Sequence, residues 1–173
     1  VPLNGPVVSL TKVADPRGLC WLGNETIVFS PQSTGGVFQI PASGGTPTPI
    51  TTVIEKNKER THRWPQVLPG GKAVIFTVGT VDKPDDYDGA NIEAVILATG
   101  ERRQILQGAS IARYVPTGHL VFARDGVLYA VEFDVDRLTI KGKPVAVLNG
   151  IAGDKTTGAV HFSIADDGTL AYV

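Results

Sequence analysis

The chain has 173 residues, of which 42% are apolar and 19% are charged, and its formal net charge is −1. This composition supplies enough apolar material for a folded core, and it excludes both general disorder and the clustered basic surface that nucleic acid needs. No apolar run approaches the ~20 residues that span a bilayer, so membrane insertion of this segment is not expected.

A short pattern recurs four times along the chain: a polar turn that contains glycine, followed by an apolar strand that ends on an aromatic residue. The four copies are WLGNETIVF ending at Phe29, LPGGKAVIF ending at Phe76, VPTGHLVF ending at Phe122 and IADDGTLAY ending at Tyr172. A second series, offset from the first, combines a Gly-rich turn with a short strand; it lies at 5–13, 44–53, 99–108 and 141–150. Proline precedes or opens three of these strands, which indicates a sheet edge, because proline cannot donate to a central ladder.

Three further strands, in GGVFQIPA, NIEAVILA and DGVLYAVEF, lie between the two series. The repeating unit is therefore a meander of four short strands, which is typical of a β-propeller blade. In chain order the sequence predicts a last strand of one blade at 7–12, complete blades at 18–52, 62–107 and 110–148, and a partial blade at 159–173. The predicted fold class is all-β: a partial β-propeller of four-stranded antiparallel blades, with three complete units and split strands at both ends.

The terminal strands of this arrangement lack partners, and unpaired strand edges are exposed to association. Three arrangements would satisfy them. In the first, the chain is cut from a longer propeller; in the second, another copy of the chain forms a homodimer that completes the ring. In the third, the strand at 7–12 docks beside 169–173 to make a thin fourth blade. The lack of methionine anywhere, even at position 1, indicates a processed chain or an excised piece.

Five segments resemble the WD40-like (PD40) repeats of TolB-type propellers, as found at the C-terminal end of many bacterial serine/threonine protein kinases. They are DPRGLCWLGNETIVFSP, ASGGTPTPIT, ERTHRWPQVLPGGKAVIFT, ARYVPTGHLVFARDGVLYAVEFD and FSIADDGTLAYV. The first departs from the pattern, because LGNE stands where the family usually has Pro-Asp-Gly. The resemblance implies a sensor role in a larger bacterial protein and, by itself, favours an extracytoplasmic or periplasmic location. No kinase motif is present.

The stretch THRWPQ at 61–66 is the most distinctive polar patch, with the tryptophan as a platform and the arginine as a fork for an anion or peptide. Counting back six residues from the turn residues Gly23 and Pro69 places two arginines at the start of innermost strands, near the mouth of the central channel. The competing interpretation is a packing tryptophan beside a proline-fixed strand. The candidate ligand-binding residues are Arg17, His62, Arg63 and Trp64.

Catalytic and metal-binding patterns are scarce, so no catalytic residue, metal or cofactor is predicted. The three histidines show none of the short spacings of a metal site, and no serine lies in a Gly-x-Ser-x-Gly elbow. The loop 82–91 contains four aspartates, but a calcium-loop template anchored on Gly89 puts Pro84 and Val95 at liganding positions. This loop is therefore predicted to be solvated and mobile.

Two functions from different classes fit these observations. The first is a non-enzymatic binding or scaffold module whose channel mouth or rim binds a protein, peptide or small ligand. The alternative is a fragment of an enzymatic propeller: a lyase, a lactonase-like hydrolase or the gating propeller of a peptidase. A purely structural spacer is a third option. The predicted mouth has no clear carboxylate partner for its basic residues, which favours the first.

Overall fold

The structure is built almost entirely from antiparallel β-strands. The computed structural model describes residues 7–173. The first sheet contains β1 (Leu19–Leu22), β2 (Thr26–Phe29), β3 (Phe38–Pro41) and β4 (Thr48–Pro49). The second contains β5 (Glu59–Val67), β6 (Ala73–Thr80), β7 (Asn91–Ile96) and β8 (Arg102–Gln107). The third contains β9 (Ile111–Val115), β10 (His119–Arg124), β11 (Val127–Asp134) and β12 (Thr139–Asn149).

Two short hairpins follow the third sheet. The first pairs β13 (Gly153–Asp154) with β14 (Ala159–Val160), and the second pairs β15 (Phe162–Ile164) with β16 (Leu170–Tyr172). The only regular elements besides strands in the described part of the chain are two 3₁₀ turns, Glu55–Asn57 and Pro69–Gly71.

Each four-stranded sheet is a meander in which neighbours in sequence are neighbours in the sheet. The tightest connection joins β10 to β11 through Asp125 and Gly126, whose φ angles are 50° and 72°. Positive φ at both central residues matches the twist of the flanking strands, which is why Asp-Gly is favoured in such hairpins. The turn therefore fixes the register, in which Arg124 pairs with Val127.

The sheets stack face to face, and each interface is a separate apolar cluster. Val28 and Val37 of the first sheet contact Val74, Phe76 and Val78 of the second. The second and third sheets share a larger cluster that contains Ile75, Ile92, Leu120 and Phe122. The third sheet packs against the terminal hairpins through a cluster that contains Leu128, Ile151, Val160 and Phe162. This stacking of meanders makes the fold a partial β-propeller, as the sequence predicted.

The recurring aromatic residue is buried in three units and exposed in the last. Phe29, Phe76 and Phe122 are buried, and burial of such a ring contributes roughly 1.5–3 kcal/mol. The side chain of Tyr172 is 55% exposed. Phe76 and Phe122 therefore pack between neighbouring sheets, whereas Phe29 lies on the outer face of the first sheet and Tyr172 stays exposed.

The strand predicted at 7–12 does not form. These residues have no strand conformation, and residues 9–11 and 13 line a groove with Leu19, Ile27 and Phe29 of the first sheet. The chain end at Val173 is hydrogen-bonded elsewhere: its N–H donates to His161 O (3.1 Å) and its carbonyl accepts from Ala152 N–H (2.7 Å). The arrangement with 7–12 docked beside 169–173 is therefore wrong. The homodimer stays a prediction.

The second blade begins at Glu59, three residues before the predicted start at position 62. A bulge lies between Arg63 and Gln66, where Trp64 and Pro65 stand opposite the single residue Phe76 of β6 and shift the register by one. Trp64 adopts a left-handed φ of 53° there. This conformation is strained for a bulky side chain, and neighbouring contacts must stabilise it.

Candidate functional site

The first strands of the four units surround a central cavity. Residues of β1, β5, β9 and β15 line this space of about 330 Å³. The lining residues are Leu19, Cys20, Pro65, Gln66, Arg113, Tyr114, Phe162, Ser163 and Ile164. The cavity is therefore the channel that the repeat pattern predicts for a propeller, and each unit contributes its innermost strand to the wall.

Four of the lining residues occupy equivalent positions in the repeat. Each pairs across the hairpin with the residue immediately before the recurring aromatic: Cys20 with Val28, Gln66 with Ile75, Arg113 with Val121, and Ser163 with Ala171. This register is not visible when positions are counted from the turn residues Gly23 and Pro69. Counting back from the aromatic would have found these positions, apart from the shift that the bulge introduces at Gln66.

One end of the channel is open. Where the first strands end, a second space of about 450 Å³ adjoins the cavity and shares Gln66 and Tyr114 with it. The rim of this opening combines aromatic and proline side chains with one carboxylate: Trp21, Pro69, Tyr114, Pro116 and Asp166. The side chain of Trp21 is 48% exposed, so a large apolar surface faces solvent at this mouth.

The other end, where the first strands begin, is closed around Arg63. Its guanidinium is 2% exposed and donates to Ser33 O (2.8 Å), Thr157 O (2.9 Å) and the Thr61 hydroxyl (3.2 Å). These acceptors come from the first sheet, the second sheet and the β13–β14 turn. Burial lowers the pKa of Arg63, but an arginine stays charged, so the carbonyl oxygens stabilise the cation. Arg63 therefore joins three units and is not accessible to a ligand.

Tyr87 completes this closed end from the loop between β6 and β7. Its ring is 1% exposed and lies 4.4 Å from the Arg63 guanidinium carbon, a cation–π contact. Two glycines make room for it. A Cβ atom on Gly79 would lie 2.6 Å from the ring, and one on Gly158 would lie 2.8 Å from it. The prediction of a solvated, mobile loop is wrong for this tyrosine, because the loop anchors its aromatic residue in the interior.

Trp64 and Arg17 lie beside Arg63. The indole N–H of Trp64 donates to Thr157 O (3.3 Å), and its backbone N–H donates to Arg17 O (2.8 Å). The Arg17 side chain is paired with Asp15, with Nη2 to Oδ2 at 2.7 Å. The structure thus brings three predicted site residues together, but it uses their polar groups to connect strands and turns.

His62 is fully buried between the first and second sheets. Its Nδ1 accepts from the Thr51 hydroxyl (2.8 Å), and its Nε2–H donates to Glu59 Oε2 (3.0 Å). Burial and, to a smaller extent, the positive charge of Arg102 lower the pKa of His62 to about 4, so the ring is neutral at pH 7. A neutral ring with its proton on Nε2 fits both contacts. The predicted ligand residue His62 is therefore a polar contact between blades.

Glu59 and Arg102 extend this network across the second sheet. Burial disfavours the charged form of Glu59, but hydrogen bonds from Arg102, Ile54 N–H and His62 outweigh it and lower the pKa of the carboxyl. Arg102 donates to both Glu59 oxygens (2.9 and 3.0 Å) and to Glu93 (2.9 Å). Glu59 and Glu93 were not singled out from the sequence. Their carboxylates stabilise the polar network of Arg102 and His62 and do not line the channel.

Arg113 differs from the other arginines near the channel. It lies on β9 in the cavity wall, and only its Nη1 is hydrogen-bonded, to Trp64 O (2.9 Å) and Ala112 O (3.1 Å). Burial lowers the pKa of this guanidinium. Within residues 7–173 no carboxylate forms an ion pair with it. Cys20 lies in the same wall, and burial raises the pKa of its thiol.

The described residues contain no group of three or more His, Cys, Asp or Glu side chains arranged to hold a metal ion. None of the helices in this part of the chain is long and apolar enough to cross a membrane.

Comparison with known proteins identifies the fold. No protein-family model matches the chain, and no curated protein matches it. Among solved structures, it is similar to a calcium-binding protein, regucalcin, from Agrobacterium tumefaciens strain C58, with a TM-score of 0.61 and 14% identity over 91% of this chain and 52% of that one. It is also similar to the tricorn protease, with a TM-score of 0.55 and 17% identity over 97% of this chain and 15% of that one. The β-propeller domain of the trilobed protease from Pyrococcus furiosus has a TM-score of 0.48 and 13% identity over 82% of this chain and 45% of that domain.

These structural neighbours are β-propeller proteins, and the chain has the fold of a partial β-propeller. It spans about half the length of the regucalcin chain and a smaller part of the tricorn protease. At these identities the likeness concerns the fold alone.

Proposed function

We propose that this chain belongs to a WD40-like, TolB-type propeller and acts as a non-enzymatic binding module. Its ligand enters the central channel at the open mouth rimmed by Trp21 and Tyr114. The observation that carries the proposal is the contrast between the two ends of one channel. The end at Arg63 is filled by side chains and turns, whereas the opposite end leads through a wide mouth into the cavity.

The chemistry of the mouth favours a peptide segment as the ligand. Exposed tryptophan and tyrosine with adjacent prolines give a concave, mainly apolar surface of the kind that dominates binding energy at interfaces. The cavity behind it, about 330 Å³, accommodates one side chain or one chain end and not a folded domain. The proposed ligand is therefore an extended segment that places an apolar residue against Trp21.

The enzymatic alternative has no comparable support at the open mouth. The chain does contain a hydroxyl, an imidazole and a carboxylate in series, in Thr51, His62 and Glu59. All three are buried, and the Thr51 hydroxyl also accepts from Val37 N–H (2.9 Å). Their contacts are those of a packing network between two sheets, and Asp166 is the sole carboxylate among the residues that line the mouth.

Selection of displayed random peptides on the purified chain tests this proposal. We expect selected peptides to bind the Trp21→Ala variant at least about tenfold more weakly, because truncation of a central tryptophan commonly costs 2 kcal/mol or more. The matched control is Tyr172→Ala, which removes an exposed aromatic remote from the mouth lining and leaves affinity unchanged. Failure to select any peptide, or equal binding by the Trp21→Ala variant, contradicts the proposal.

A further inference from the structure

We infer that Arg113 is the recognition group for a carboxylate, so that the central cavity binds a C-terminal or side-chain carboxylate of the ligand. This inference rests on the proposed function, because it names the ligand chemistry of the same channel. It also places the binding determinant on β9 in the cavity wall, at a residue outside the set Arg17, His62, Arg63 and Trp64 that the sequence singled out.

The first argument is that Arg17, Arg63 and Arg102 have carboxylate or aromatic partners, whereas among the described residues Arg113 has neither. Arg102 contacts Glu59 and Glu93, and Arg17 contacts Asp15. Arg63 has three oxygen acceptors and the Tyr87 ring. Arg113 contacts two backbone carbonyls through one nitrogen, and the cavity lining contains no carboxylate. Arg113 is partly buried and lines the cavity without a counter-charge from the described residues, so an anion bound there would stabilise the guanidinium.

The second argument is the set of donors that remains on Arg113. A guanidinium has five N–H donors in a planar fork, and the protein uses only those of Nη1. The Nε and Nη2 edge retains the geometry that binds a carboxylate through two parallel hydrogen bonds. The two bonds to Trp64 O and Ala112 O hold the group in the wall, which reduces the entropy lost on binding.

In the described part of the chain, no other charged group lines the cavity that could bind a carboxylate in place of Arg113. The Gln66 amide is already used between strands: its Nε2 donates to Tyr114 O (3.1 Å), and its Oε1 accepts from Tyr114 N–H (2.7 Å). The Ser163 hydroxyl lies in the lining as a further donor. Asp166 at the rim is exposed, so water and salt screen the repulsion between its carboxylate and an anion in the cavity. The attraction between that anion and the partly buried Arg113 guanidinium is screened less.

The experiment compares ligands that differ only in their carboxylate, with the thiol of the sole cysteine as reporter. The probes are acetate, inorganic phosphate, and the acetylated tripeptide Ala-Ala-Phe with either a free or an amidated C-terminus. Each is titrated while thermal unfolding and the rate of maleimide labelling of Cys20, the single cysteine, are followed. We expect the free-acid tripeptide to raise the unfolding temperature and to slow labelling, and the amide to do neither.

The variants are Arg113→Gln and Arg113→Lys, and the control is Arg137→Gln. Arg137 lies in the turn between β11 and β12, outside the channel, and its side chain is 80% exposed. We expect roughly tenfold to hundredfold weaker binding of the free-acid peptide by Arg113→Gln, partial retention by Arg113→Lys, and no change in the control. Without ligand, Arg113→Gln unfolds at the same or a higher temperature. A merely structural arginine would instead lower that temperature and leave the peptide preference intact.

Each outcome separates this inference from the proposed function. If displayed peptides bind through Trp21 but their affinity is independent of Arg113 and of any carboxylate, this inference fails and the proposed function stands. If acetate or phosphate protects Cys20 in an Arg113-dependent manner while no peptide binds, the cavity is an anion site and the peptide proposal fails. Phosphate bound more tightly than either carboxylate overturns the stated ligand class, and no protection by any probe overturns the site.

Discussion

The two ends of the central channel use similar residue types for opposite purposes. At the closed end, Arg63 and Trp64 donate to carbonyl oxygens of the surrounding turns, and the ring of Tyr87 covers the Arg63 cation. At the open end, Trp21 and Tyr114 face the mouth, and Arg113 lies in the wall behind them with donors to spare. In this chain, therefore, an arginine with aromatic neighbours is a candidate ligand site only at the end where its donors lack protein partners.

The same contrast predicts how stability divides along the channel. Residues of the closed end join separate sheets, and a propeller segment is held together by contacts between neighbouring sheets. Residues of the open end leave much of their surface in solvent, and such residues are the ones that a binding site can use. We therefore expect closed-end substitutions to lower the free energy of unfolding, and open-end substitutions to change binding with little loss of stability.

The largest expected effect is at Tyr87. The Tyr87→Ala substitution removes a buried ring between Gly79 and Gly158 and uncovers the Arg63 cation, so the free energy of unfolding should fall by about 3–5 kcal/mol. Urea unfolding followed by circular dichroism measures it. Tyr172→Ala is the matched control, and its exposed ring should cost less than about 1 kcal/mol. Equal effects of the two substitutions would show that the loop does not close this end.

The next effect is a loss of stability in acid. Above pH 6.5 His62 is neutral in both folded and unfolded chains and contributes no pH dependence. As the pH falls from 6.5 to about 4, the unfolded chain binds a proton that the buried ring does not, so stability falls. The difference between the two pKa values corresponds to about 3 kcal/mol at the lower limit. Glu59, whose pKa is lowered, adds to the loss of stability below pH 4.5.

Urea unfolding at several pH values between 4 and 7 measures this dependence on the wild-type chain and on His62→Gln. The variant cannot take up the proton, so its stability should change less over the same interval. A wild-type stability that is flat between pH 6.5 and 4 contradicts the buried, neutral histidine.

A smaller effect is expected from Thr51→Val. The substitution keeps the shape of the side chain but removes the hydroxyl that donates to His62 and accepts from Val37 N–H. Leaving these buried groups unpaired should cost about 1–3 kcal/mol in chemical unfolding. The adjacent Thr52→Val is the control, because that side chain is exposed and should change stability by no more than about 0.5 kcal/mol.

The smallest change in stability is expected at the open end. Trp21→Ala removes a side chain that is 48% exposed, and we expect a loss of less than about 1 kcal/mol together with the loss of peptide binding described above. Thermal unfolding and peptide affinity, measured on one preparation, compare the two effects. A variant that loses stability as strongly as Tyr87→Ala would place Trp21 in the packing and not at a binding surface.

Most of the fold could be predicted from the sequence because the repeat has a physical cause. Each unit ends its second strand on an aromatic residue, which packs against the neighbouring sheet at Phe76 and Phe122. Turns such as Asp125–Gly126 have few alternative conformations. The segment 7–12 was assigned wrongly because its pattern resembles the last strand of a blade, while a strand also needs an edge with which to pair. The edge at Val173 is used by Ala152 and His161.

The candidate site could be predicted only in part, because burial and pairing depend on residues remote in sequence. Nothing local to Arg63 indicates that carbonyl oxygens of Ser33 and Thr157 will surround it. The bulge at Trp64 shifts Gln66 by one position, which hides its equivalence to Arg113. Arg113 itself carries a usable signal, since it has the same register relative to Phe122 as Cys20 has relative to Phe29.

The exchange rates of the two indole N–H protons test the central claim most directly. The chain has two tryptophans, one at each end of the channel, and variants Trp21→Phe and Trp64→Phe assign their nuclear magnetic resonance signals. We expect the Trp64 proton, hydrogen-bonded to Thr157 O, to exchange with deuterium slowly and the Trp21 proton to exchange rapidly. Comparable rates for the two protons, or faster exchange at Trp64, would contradict a channel closed at one end and open at the other.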